Sequence, residues 1–107
     1  MTFAALRRLG LAVAATVLLG LASAQAEELK VTIDNFTFTP AELKVKVGDT
    51  VTWTNHDDIP HTVVSAGKYR SKTMDTDGTF SFTFTSAGDY KYFCSLHPHM
   101  TGMIKVE

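Results

Sequence analysis

Cys94-Ser95-Leu96-His97-Pro98-His99-Met100 gathers a thiol, two imidazoles and a thioether into seven residues near the end of the chain. A further histidine, His61, lies well upstream in Ile59-Pro60-His61-Thr62-Val63. Two imidazoles, a thiolate and a thioether are the donors that select copper in a trigonal site with a weak axial sulfur. That geometry lets one copper ion cycle between two oxidation states with little rearrangement. The chemistry suggested is one-electron transfer.

Each candidate has a duller reading. A lone cysteine is more often a small buried hydrophobe than a ligand. Cys94, however, closes an alternating segment in which Tyr90, Tyr92 and Cys94 share the expected core face. His97 follows three residues on and Met100 three beyond it, so a tight loop folding back gathers all three side chains. Pro98 stiffens the loop by fixing its own φ, and Gly102 marks the turn into the last strand. His61 alone reads as a surface-loop residue, but it opens the apolar Val63-Val64 after a break at Pro60. Strand pairing there can deliver its ring beside Cys94. His56 lies with Asp57 and Asp58 in a polar turn, where exposure is expected, and His99 points away if His97 and Met100 point inward. Met103 shares a face with Lys105 and Glu107, opposite Ile104 and Val106, which leaves Met100 as the axial candidate. Met74 reads as packing. The candidate metal ligands are therefore His61, Cys94, His97 and Met100.

Something must position them. The chain has 107 residues, enough for one small domain. Arg7 and Arg8 precede an apolar run over Leu9 to Leu21, and Ala22-Ser23-Ala24 and Ala24-Gln25-Ala26 are both small-residue cleavage patterns. Residues 1–26 thus read as a secretory signal peptide, too short in its apolar stretch for a membrane span. Residues 27–107 form the expected domain, with eight basic and eleven acidic residues and a net charge of about −3. No basic cluster survives that would bind nucleic acid. A domain of this size often needs a staple. Its single cysteine excludes an intrachain disulfide, which leaves a metal.

Period-two alternation dominates the domain and helical periodicity is almost absent. Leu29–Ile33, Leu43–Val47, Val51–Asn55, Val63–Ser65, Phe80–Phe84, Tyr90–Cys94 and Met103–Glu107 read as strands, separated by turn signals such as Gly48-Asp49, Asp77-Gly78 and Gly88-Asp89. About seven to eight short strands at this spacing predict an all-β sandwich. Pro40 is expected at a strand start or on an edge. Ser65 to Thr76 is the least regular stretch, fitting a loop, a short strand or one helical turn.

The domain resembles the cupredoxin family of type 1 copper proteins, in its amicyanin-like form, with pseudoazurin and plastocyanin as more distant relatives. The likeness runs from Phe38-Thr39-Pro40 through Leu43-Lys44-Val45-Lys46-Val47-Gly48-Asp49-Thr50-Val51-Thr52-Trp53, Asn55, Pro60-His61 and Ala87-Gly88-Asp89-Tyr90-Lys91-Tyr92. It closes on Cys94-x2-His97-x2-Met100, the specific motif, whose short spacing is the amicyanin type. Many relatives carry Asn directly after the first histidine. This chain has Thr62, so any tie to the cysteine loop falls to its hydroxyl or to Asn55. His99 stands where an apolar residue is expected.

The resemblance implies a Greek-key sandwich with one copper ion near one end. His61, Cys94 and His97 would hold it in a plane, Met100 would approach along the axis, and the Pro60 carbonyl would lie opposite. It also implies a monomeric periplasmic electron carrier, not an enzyme, with no membrane span once the leader is removed. Redox partners such as a dehydrogenase, cytochrome or oxidase would dock on an apolar rim of Ile59, Pro60, Leu96, Pro98 and Met100 around His97. A periplasmic copper carrier or storage protein is the alternative. Structural zinc is a third reading, against which the thioether of Met100 argues.

Overall fold

The computed structural model describes residues 26–107. Of the expected leader only Ala26 falls in that range; the rest lies outside the described residues. The described residues form nine strands: β1 (Glu28–Asp34), β2 (Thr37–Thr39), β3 (Glu42–Val45), β4 (Thr50–Asn55), β5 (Val64–Ser65), β6 (Tyr69–Arg70), β7 (Thr79–Thr83), β8 (Gly88–Phe93) and β9 (Thr101–Val106). They make two sheets, ordered β2-β1-β4-β7 and β3-β9-β8-β5-β6. Among the described residues there is no helix.

Alternation explains the layering. In β4, Val51, Trp53 and Asn55 are buried while the intervening threonines are partly exposed. β1 runs parallel to β4 with Val31 beside Trp53, and β7 runs antiparallel on the other side with Phe80 opposite Trp53. The second sheet centres on the antiparallel β8–β9 pair. From it Tyr92 and Ile104 join Val31, Ile33, Val51, Trp53 and Phe84 in the core. Trp53 lies at its middle, edge-on to Tyr92 at 5.5 Å between centroids and tilted against Phe80 at 5.6 Å. Burying each such side chain contributes about 1.5–3 kcal/mol.

The elements depart from the sequence reading in detail. There are nine strands where seven to eight were expected, because β2 and β6 are three and two residues long, too short for alternation to register. Pro40 occupies the bend between β2 and β3 and no strand. The irregular stretch after Ser65 contains β6, and Met74 forms an isolated backbone bridge with His61. Gly102 lies inside β9 and not at a turn. It faces Tyr92 across the sheet, and a Cβ there would run into the tyrosine ring. At the β3–β4 turn the buried Asp49 carboxylate accepts the Lys46 N–H (2.8 Å) and the Glu27 N–H (2.9 Å). It thereby ties the start of β1 to the turn.

Candidate metal centre

Three segments meet at one end of the sandwich: the β1–β2 turn, the stretch entering β5, and the β8–β9 loop. The last is a small closed loop. The Cys94 N–H donates to the Met100 carbonyl (3.1 Å), the His97 N–H to the Cys94 carbonyl (3.2 Å), and the Met100 N–H to the His97 carbonyl (2.9 Å). The spacing of Cys94, His97 and Met100 thus becomes one compact turn. His61 is delivered from across the sheet by paired backbone bonds with Met74, 3.2 and 2.8 Å.

Nδ1 of His61 and Nδ1 of His97 each lie 3.7 Å from the Cys94 sulfur. One donor atom from each of the three residues falls within 4.8 Å of the others. Cys94 and His61 are fully buried, and Met100 is 5% exposed. His97 is partly exposed and His99 exposed. His56 is half-exposed, as its polar context predicted, lies 3.7 Å from Asp77 and is not among the clustered donors.

Burial alone would push the Cys94 thiol up. The Thr62 N–H, both imidazoles and the Thr62 hydroxyl outweigh it and bring the thiol down from 9.0 to about 6. The strongest donor is the Thr62 amide, 3.3 Å from the sulfur. The Thr62 hydroxyl also accepts the Ser95 N–H at 2.8 Å and meets the Ser95 hydroxyl at 2.8 Å. Of the two residues expected to tie the cysteine loop, Thr62 therefore does so. Asn55 instead donates to the Ile59 and Met74 carbonyls (3.0 and 2.9 Å), shaping the loop that carries His61.

Two residues escaped the sequence reading. Asp57 reads there as part of an exposed polar turn, yet its Oδ2 lies 2.7 Å from His61 Nε2. Burial works against its charge, but the Phe36 and Asn35 amides and the His61 ring hold its carboxyl below the usual carboxylate range. Held at Nε2 by Asp57, the His61 ring turns Nδ1 toward Cys94, where a metal ion would take the place of a proton. Phe36 stands edge-on to His61 and His97, with centroids 5.5 and 5.0 Å away. Nothing in Asn35-Phe36-Thr37 pointed to that placement. The expected apolar rim is altered accordingly. Ile59, Pro60, Leu96 and Pro98 are exposed, Met100 is buried, and Phe36, 44% exposed, joins the surface.

A pre-formed thiolate and two imidazoles presenting Nδ1 fit a soft, borderline metal such as copper. The chain belongs to the cupredoxin-like family, whose domain model matches residues 8–106. It is 35% identical over 92 residues to amicyanin of Paracoccus versutus, covering 80% of this chain and 70% of that protein. It is 34% identical over 102 residues to amicyanin-alpha of Methylorubrum extorquens, covering 90% and 86%. The fold superposes on a copper(I) structure of an amicyanin variant with a TM-score of 0.72 and 36% identity, over 80% of this chain and 89% of that one. The cofactor is one type 1 copper ion.

Proposed function

We propose that this protein is a periplasmic electron carrier in which His61, Cys94, His97 and Met100 hold the copper ion. The observation that carries the reading is the convergence of His61 Nδ1, Cys94 Sγ and His97 Nδ1 within 4.8 Å. Copper, when bound, supplies a one-electron Cu(II)/Cu(I) couple. The chain's own residues do the rest. Asp57 fixes the His61 tautomer, and the Thr62 amide holds the sulfur as thiolate. Burial of Cys94, His61 and Met100 keeps water from the donors. A backbone bridge to Met74 holds His61 and a closed loop carries Cys94, His97 and Met100, so the donors move little when the charge changes. His97 reaches the surface among Phe36, Ile59 and Leu96, an apolar patch suited to brief docking of a redox partner. The leader-like residues 1–26 and the amicyanin relatives support the periplasm as the compartment.

Visible spectroscopy and voltammetry of the copper-loaded protein test this. An intense thiolate-to-copper band with a reversible potential is expected. Copper handed to an acceptor protein, with no reversible response, would favour the carrier reading instead.

A further inference from the structure

The β1–β2 turn is an unusual stretch of backbone beside the metal centre. Asn35 and Phe36 both adopt left-handed conformations, with φ of 50° and 56°. Asparagine tolerates that region, but for a bulky side chain it is a genuine outlier. Strained backbone of this kind persists where surrounding structure over-determines it, and such sites cluster where function needs them. Here the constraint is visible. The Asp57 carboxylate accepts the Asn35 N–H at 2.6 Å and the Phe36 N–H at 2.9 Å, while the same group bonds His61 Nε2 at 2.7 Å. The turn does not hide its aromatic side chain, since Phe36 stays 44% exposed. It places the ring edge-on to two imidazoles that are themselves 4.9 Å apart.

The two imidazoles are not equally secured. His61 is fully buried and held at its outer nitrogen by Asp57. Among the described residues, His97 makes no side-chain hydrogen bond beyond its contact with the Cys94 sulfur. It sits on a loop at the surface, so its ring is the donor most able to swing out. The aromatic ring set against it, edge-on with centroids 5.0 Å apart, is that of Phe36. We propose that Phe36 is a positioning residue of the copper site: its ring walls in His97, and Asp57 holds that wall through the strained turn. The proposal rests on the reading of His61 and His97 as ligands and adds a residue outside the ligand set. One carboxylate then sets both imidazoles, one by a hydrogen bond and the other through an aromatic edge.

The test uses Phe36→Ala, Phe36→Gly and Phe36→Tyr. Alanine removes the ring and keeps the left-handed strain; glycine removes both; tyrosine keeps the ring. NMR relaxation of the His97 ring is measured in the copper-free protein, and copper loss to a chelator in the Cu(I) form. The alanine and glycine variants should both show a more mobile His97 ring, an unchanged His61 ring, and copper loss several-fold faster. The tyrosine variant should match the wild type in all three. Ordered His97 and unchanged copper loss in both ring-less variants would overturn the proposal. So would loss of order in the alanine variant alone, which would assign the effect to backbone strain. If the wild-type protein bound no copper, the ligand reading would fail, while ring order in the copper-free variants would still decide whether Phe36 positions His97.

Discussion

Cys94 is the residue whose environment is most altered by the fold. A thiol brought down to about 6 is mostly thiolate at neutral pH. The lowered value means the folded, copper-free protein gains stability from this group in full above the ordinary thiol range near 9. That gain is lost as pH falls through about 6. Ultraviolet titration of the thiolate in copper-free protein should therefore show a midpoint near 6, and a midpoint near 9 would refute the role given to the Thr62 amide. In the loaded protein, Cys94→Ser should abolish the visible band, which belongs to the sulfur; an intact band would remove Cys94 from the site. The histidines divide as their burial does. His61→Ala should lose tight copper binding, and His56→Ala should keep it, as calorimetric titration would show. Copper loss in the His56 variant would reverse the assignment.

Among the elements, the β3–β4 turn does for the start of β1 what the β8–β9 loop does for the donors. Asp49 is held below its ordinary 3.8 chiefly by the Glu27 and Lys46 amides. A carboxylate depressed in the folded state contributes stability that is complete above the ordinary value and lost as pH falls through the native one. Asp49→Asn should lower the melting temperature at neutral pH and flatten its decline below pH of about 4. An acid limb identical to the wild type would show that the turn does not depend on the charge. The same reasoning makes the two shortest strands intelligible. β5 and β6 are two residues each, yet the segment entering β5 carries His61 and Thr62 to the Cys94 sulfur.

At the scale of the molecule, the chain has one cysteine and a small aromatic core, so bound metal is the remaining cross-link between its sheets and loops. A ligand that binds only the native state stabilises it by about 2.7 kcal/mol at about 100 times its Kd. The copper form should accordingly melt well above the copper-free form in calorimetry. Equal melting temperatures would argue that the donors are not assembled by this fold. Trp53 tests the core that assembles them: Trp53→Ala should cost about 3–5 kcal/mol in chemical denaturation, because the side chain is fully buried against Tyr92, Phe80 and Tyr69.

Residue types and short-range spacing already decided much about this protein. Alternation in β1, β4, β8 and β9 is a local property, so the all-β class and the core faces were legible from the residues alone. The Cys94, His97 and Met100 spacing was legible for the same reason, since a three-residue step in a tight loop needs no distant partner. His61 was reachable because its donor type completed the set. Tertiary structure alone decided what depends on long-range approach. Asp57 looked like one acid in a polar turn until folding put the Asn35 and Phe36 amides and the His61 ring on its carboxylate. Phe36 carries no local signal at all, because its place over two imidazoles comes from a left-handed turn held by a residue 21 positions away. Gly102 looked like a turn residue, and only the pairing of β8 with β9 revealed that the Tyr92 ring occupies the space a side chain would need. Periodicity reports which face of an element is buried; it carries no information on which distant atoms fill the space beyond that face.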